Sequence, residues 1–121
     1  MNAVDQAQHL IGQGGQVHLI GAGGIGMAGV AFLLKERGLT VTGCDVQANR
    51  QTEWLEKCGI GMTIGHSEEH VSRDTGWIIR STAVPDAHPE VVRARAFDLP
   101  VLRRGEVLPA LMRASVILLS P

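Results

Sequence analysis

Short apolar runs alternate along this chain with longer stretches whose apolar positions recur every three or four residues. Val17-His18-Leu19-Ile20 predicts a first strand that stops at Gly21. A helix is expected from about Gly24 to Arg37, with Ile25, Ala28, Leu33 and Leu34 roughly on one face and Gly38 closing it. Thr40 to Cys44 predicts a second strand ending at Asp45, Arg50 to Lys57 a helix, Gly61 to Ile64 a third strand, and Trp77 to Arg80 a fourth that ends at Ser81. Pro89 suits a first helical position and opens a helix to about Phe97. Pro100 to Leu102 predicts a fifth strand and Gly105 to Arg113 a last helix, with the apolar tail Ala114 to Pro121 as a candidate sixth strand. Met1 to Gly15 is polar and Gln-rich, and no element is assigned to it.

Strands alternating with helices predict an α/β fold. With right-handed crossovers this is a Rossmann-like, doubly wound, mainly parallel five-stranded sheet with helices on both faces. Ligands of such sheets bind beyond the carboxyl ends of the strands. Gly21, Asp45, Gly65 and Ser81 fall there, so one sheet edge collects the candidate site.

Gly21-Ala22-Gly23-Gly24-Ile25-Gly26 follows a strand and opens a helix. In a G-x-G-x-x-G turn the first glycine permits the turn, the second lets a phosphate approach the backbone, and the third lets helix and strand pack. The helix N-terminus offers unpaired N–H groups and a partial positive charge to an anion. Asp45 ends the next strand about 20 residues on, where an NAD site places the carboxylate for a ribose hydroxyl. By this motif alone NAD is the default ligand, with Asp45 as a turn or helix-capping aspartate the plainer alternative.

Composition narrows the picture. The 121 residues suit one domain, and 45% hydrophobic residues allow a sizeable core. A formal net charge of -1 gives no support for nucleic-acid or membrane-surface binding. The two cysteines, Cys44 and Cys58, predict free thiols and a reducing, cytoplasmic setting. The first residues lack the basic start and apolar stretch of a signal peptide. No run approaches the roughly 20 apolar residues of a membrane helix.

Beyond the glycine turn, His18 to Ala31 (HLIGAGGIGMAGVA) resembles the start of the Mur ligases, most closely the branch that joins L-alanine to UDP-N-acetylmuramate, where the pattern is HFIGIGGIGMSGIA. Val41 to Asp45 resembles that family's VSGSD, with Cys44 in place of the usual Ser. Ile64-Gly65-His66 matches its IGH, Ser81 to Val84 followed by Pro89-Glu90 resembles SSAI…NPE, and Pro100 to Leu108 resembles IPVLRRAEML. The segments stay in register from about Gln16 to Arg113. The resemblance implies a Rossmann-like first domain that binds the UDP part of a sugar substrate rather than NAD. It implies that Gly21, Gly23, Gly24, Ile25, Gly26 and Met27 hold the diphosphate. Asp45, His66, Ser81, Thr82 and Ala83 would line the uridine and sugar side, and Arg104 is the arginine of the Arg103-Arg104 pair that matches the family motif.

The same resemblance implies no cofactor in this domain. ATP and Mg would belong to further ligase domains, because no GxxxxGK[ST] phosphate loop occurs in these residues. The chain alone is expected to bind substrate without ligating it. The alternative, an NAD(H)-binding module of a dehydrogenase or regulator, rests on the glycine turn and Asp45 alone.

Other features read more plainly. His66-Ser67-Glu68-Glu69-His70 fits H-x-x-E-H, a zinc-peptidase pattern, but no third ligand is evident in helical context, so no metal site is expected and His70 is placed at the surface. Cys44 is expected as a small buried residue, and Trp54 and Trp77 as packing residues. Arg80 stands where the family has an apolar strand residue and is expected in solvent. The apolar stretch Val116 to Leu119 is a candidate homodimer contact, since an unpaired strand is a template for association.

Overall fold

The computed structural model describes the backbone of residues 2–119 and the side chains of residues 2–113. The order is α1 (Ala3–Gln13), β1 (Gln16–Ile20), α2 (Ile25–Glu36), β2 (Thr40–Asp45), α3 (Arg50–Lys57), β3 (Gly61–Ile64), a 3-10 turn (Glu68–His70), β4 (Trp77–Arg80), α4 (Pro89–Ala96), β5 (Val101–Arg103) and α5 (Arg104–Leu119). The strands form one sheet in the order β3-β2-β1-β4-β5. All four pairings are parallel. The chain winds outward from β1 in one direction and then returns to lay β4 on its other side, which opens a crevice between the carboxyl ends of β1 and β4.

Local sequence explains the helix boundaries. The Asn2 side chain accepts the Asp5 N–H at the start of α1. Asn49 and Thr52 form a reciprocal capping box on α3. Pro89 occupies the first turn of α4, and the His88 ring caps it by accepting the Glu90 N–H at 3.1 Å. Gly38 closes α2 with φ +89°, a conformation that glycine adopts without strain.

Period-two alternation in the strands sorts side chains to the two sheet faces. Val17, Leu19, Val41, Trp77 and Ile79 join the larger core, which is filled from α1, α2, α3 and α5 by residues such as Ala7, Val30, Leu34, Leu55 and Leu111. Ile20, Cys44 and Ile78 face a smaller core closed by Val71, Val84, and Val91 and Ala94 of α4. His18 shares this second face, and α4 delivers Glu90 onto it. Both are buried, at 2% and 0% exposure.

Two expectations about elements change. The Gln-rich start is a helix, α1, which buries Ala7 and Ile11 and is tied to α5 where Arg113 donates to Asp5 Oδ1 at 3.1 Å. The tail is not a sixth strand: α5 continues through Leu119, with Pro109 inside it. An unpaired strand edge is therefore not what the tail presents, and the side chains of residues 114–121 lie outside the described residues.

Arg80 also departs from expectation. β4 is an inner strand, and Arg80 is 5% exposed. Its guanidinium donates to the Asp86 carboxylate and to the Val84 carbonyl. The hydrogen bond and charge of Arg80 hold the Asp86 carboxyl below its usual range. Arg80 thus braces the 81–88 loop, which runs over the sheet edge where the candidate site lies. Cys44 and Trp77 are buried as expected, whereas Trp54 is 41% exposed and rests on Phe32.

Candidate functional site

The glycine turn leaves β1 at Gly21, whose φ of +82° is the left-handed region open to glycine. A Cβ there would also press on Ser81 at 3.3 Å. The Gly21 and Ala22 N–H groups donate to the Cys44 carbonyl at 2.9 and 3.0 Å, which fixes the turn to the end of β2. Gly24 donates to the Gly21 carbonyl and then starts α2 with no side-chain cap. The first intrahelical bond is from Ala28 N–H to the Gly24 carbonyl at 2.9 Å. The N–H groups of Ile25, Gly26 and Met27 therefore point out of the helix end without an acceptor among the described residues. Such a group of amides, at the positive end of the helix dipole, is a seat for an anion.

Gly23 is glycine for a different reason from the one its motif position suggests. A Cβ on Gly23 would sit 2.7 Å from Asp45 Oδ2, and 2.9 Å from both Asn49 Nδ2 and Thr52 Cγ2. Its N–H donates to Asp45 Oδ2 at 2.9 Å, and its carbonyl accepts from Asn49 Nδ2 at 3.1 Å. Side chains of the protein, not open space, lie against it. The open position is Gly24, where a Cβ would meet nothing nearer than 3.6 Å. The Gly26 position is covered by the Arg104 side chain, which a Cβ would approach to 3.0 Å, so Arg104 lies across the start of α2.

Gly21, Gly24, Asp45, His66, Ser81 and Ala83 line a single cleft of about 420 Å³, joined by Val46, Val84, Pro85 and His88. This gathers residues from the carboxyl ends of β1, β2, β3 and β4. Among the residues singled out in the sequence, Met27 points into the larger core and Thr82 is exposed beside the cleft without lining it. Ile25 is 82% exposed at the start of α2. Asp45 places both oxygens on backbone amides, Oδ2 on Gly23 and Oδ1 on Val46 at 2.7 Å.

Beneath the cleft lies a polar cluster that the sequence did not reveal. Glu90 accepts from His18 Nε2 at 2.6 Å, and the Cys44 sulfur lies 3.2 Å from each of its oxygens. His66 Nδ1 is 3.2 Å and His70 Nδ1 3.4 Å from Glu90 Oε2. His70 is thus turned inward rather than set at the surface, because the short 3-10 turn, not an α-helix, carries it. His66 is packed edge-on against His88 at 4.4 Å between ring centroids. Only the separation of these residues in sequence hid the cluster; the signal was a carboxylate placed two residues into an otherwise apolar helix face, opposite a histidine in an apolar strand.

Burial alone would raise the Glu90 carboxyl, but hydrogen bonds from His18 and Cys44, with the charges of His18 and His70, outweigh it and hold Glu90 at about 2. Burial and then the Glu90 charge push the Cys44 thiol far up. Burial and the neighbouring His66 hold His88 below its ordinary 6.5. These shifts predict acid sensitivity in metal-free buffer. A carboxyl lowered on folding from 4.5 to about 2 contributes stability that is complete above 4.5 and lost as pH falls toward 2, on the order of 3 kcal/mol. His88, neutral in the fold below 6.5, begins to cost stability as pH drops past that value. Thermal unfolding followed from neutral pH downward should show a midpoint that starts to fall near 6.5 and falls most steeply below 4.5; a pH-independent midpoint through this range would contradict the assignment.

Comparison with known proteins agrees with this geometry. Residues 16–116 match the family described as "Mur ligase family, catalytic domain". The UDP-N-acetylmuramate–L-alanine ligase of Caulobacter sp. (strain K31) is 48% identical over 99 residues, which cover 82% of this chain and 21% of that protein. The enzyme of the same name from Carboxydothermus hydrogenoformans is 41% identical over 97 residues, 80% of this chain and 21% of that protein. The crystal structure of UDP-N-acetylmuramate-alanine ligase from Thermotoga maritima superposes with a TM-score of 0.78 at 32% identity, covering 83% of this chain and 23% of that one. The chain therefore spans about one fifth of the length of the curated relatives it matches. With a parallel sheet wound about β1, an uncapped glycine turn opening on its crevice, and a family match that runs from β1 into α5, the chain belongs to the Mur ligase family.

Proposed function

We propose that this chain is the UDP-N-acetylmuramate-binding region of a UDP-N-acetylmuramate–L-alanine ligase of peptidoglycan synthesis, acting in the cytoplasm. The observation that carries the reading is the uncapped start of α2, where the amides of Ile25, Gly26 and Met27 face the crevice between β1 and β4. A diphosphate seated there takes its hydrogen bonds from groups that have no other acceptor among the described residues, and it needs no lysine beside it. Arg104 lies across the same helix start and can add charge to that seat. From this seat the cleft runs past Ser81, Ala83, His66 and His88, which offers hydroxyl, amide and imidazole groups to a nucleoside or sugar.

The site orients a substrate and holds its charge. Activation of a carboxylate by ATP needs a phosphate loop and Mg, and these would come from further ligase domains acting as partners of this one. Membrane and nucleic-acid partners have no place in the proposal: among the described residues no helix is long and apolar enough to cross a membrane, and the net charge is -1.

NAD is the competing ligand because the turn and Asp45 match its fingerprint. An NAD site turns the Asp45 carboxylate to ribose hydroxyls, whereas here it braces the backbone, Oδ2 accepting the Gly23 N–H of the turn and Oδ1 the Val46 N–H. Thermal unfolding with each ligand at equal concentration separates the readings. UDP-N-acetylmuramate should stabilise the chain, by about 2.7 kcal/mol at a hundredfold excess over its Kd, and NAD should not. An equal or larger shift with NAD would overturn the ligand assignment.

A further inference from the structure

We infer that His18, Cys44, His70 and Glu90 form a binding site for one zinc ion, separate from the cleft. Their donor atoms all lie within 4.8 Å of one another, and each comes from a different element: β1, β2, the 3-10 turn and α4. Zinc bonds of about 2.0–2.3 Å in a tetrahedron place the ligand atoms roughly 3.3–3.7 Å apart. One spacing is already close to that, Cys44 Sγ to Glu90 Oε1 at 3.2 Å, while His70 Nδ1 lies 3.4 Å from the other oxygen, Oε2. The contact of His18 Nε2 with Glu90, at 2.6 Å, has to open by only about 1 Å.

The surroundings are those of a metal centre. His18 Nδ1 lies 2.8 Å from Thr42 Oγ1, so the ring can donate its other N–H to an oxygen while Nε2 ligates, as ligating histidines do. The second oxygen of Glu90 keeps its contact with His66 Nδ1. Among the described residues His70 Nδ1 is buried and makes no hydrogen bond, only its 3.4 Å contact with Glu90 Oε2, so the neutral ring can turn its lone pair to an ion. A thiol, two imidazoles and one carboxylate select zinc over magnesium or calcium, which take oxygen ligands. A second cavity, of about 290 Å³ and lined by His18, His70 and Met62, gives an entry path that does not pass through the cleft.

Binding balances as follows: the Cys44 thiol releases one proton to solvent and ligates as thiolate, and His18 and His70 ligate as neutral rings, His18 keeping its one N–H on Nδ1 and any second proton on either ring passing to solvent. His66 and His88 with Glu90 make a second candidate group, but it lacks sulfur and lies on the cleft wall.

Cobalt(II) titration of the reduced, untagged full chain tests this. The expected result is saturation at one equivalent with tetrahedral visible bands and a thiolate-to-cobalt charge-transfer band, all displaced by zinc. Cys44→Ser should lose the charge-transfer band and bind at least about tenfold more weakly, with its unfolding midpoint in chelator unchanged, while Cys58→Ser keeps both. If Cys44→Ser does not fold, His70→Ala should weaken binding by at least the same factor. Absence of the band, a band that follows Cys58, or unchanged affinity in His70→Ala would overturn the assignment.

Discussion

Glu90→Ala is expected to lower the unfolding free energy by about 3–5 kcal/mol in metal-free buffer, the range found when one partner of a buried ionic pair is removed. The carboxylate is fully buried and touches His18, Cys44, His66 and His70, so its loss leaves several buried polar groups facing a cavity. Against a total stability of roughly 5–15 kcal/mol this is a large fraction. The unfolding midpoint should drop by at least about 10 °C. Glu90→Gln keeps the shape but removes the charge and sets an N–H group among other donors, so it should recover only part of the loss. A change below about 1 kcal/mol for the alanine variant would show that the cluster adds little to the fold. Denaturant unfolding at neutral pH makes the measurement, since an unchanged m-value confirms that stability alone has moved.

Gly23→Val is the second large effect, and it should damage fold and site together. The new side chain cannot be placed beside Asp45, Asn49 and Thr52, which surround that position at 2.7–2.9 Å. Either the turn shifts, breaking the bonds that Gly23 makes to Asp45 and Asn49, or the start of α3 moves away with its capping box. Overpacking of this kind costs about 1–3 kcal/mol. Because the turn sets the direction of the α2 amides, UDP-N-acetylmuramate affinity should fall more than about tenfold, as a displaced anion site forfeits over 1.4 kcal/mol. Gly24→Ala is the informative companion: its Cβ meets no protein atom nearer than 3.6 Å, so the fold should hold while a ligand in the cleft is crowded. Wild-type affinity in Gly23→Val would show that the turn does not hold the diphosphate.

The sequence made the strands and most helices legible because their signals are local. Alternation in Val17 to Ile20, Pro89 at the head of α4 and glycines closing α2 and α3 each follow from a few neighbouring residues. α1 was hidden because its buried positions, Ala7 and Ile11, stand among glutamines, and their partner is α5 at the other end of the chain. The apolar tail suggested a strand where α5 continues, because a short apolar run reads the same for a strand as for a stretch of helix. The turn of the candidate site was legible as a motif, and the fold gathers six of the twelve predicted site residues at one cleft. What composition and spacing did not carry was long-range pairing. Glu90 needed a histidine 72 positions away, and even the nearby Arg80 is buried only because the 81–88 loop folds back to offer it Asp86 and the Val84 carbonyl.

Whether the turn holds the diphosphate is read most directly by following its backbone amides by NMR while UDP-N-acetylmuramate is added. The largest shifts should fall on Gly24, Ile25, Gly26 and Met27, with smaller ones at Ser81, Ala83 and His66, and NAD at the same concentration should leave them in place. Shifts confined to other parts of the chain, or an equal response of the turn to NAD, would contradict that assignment.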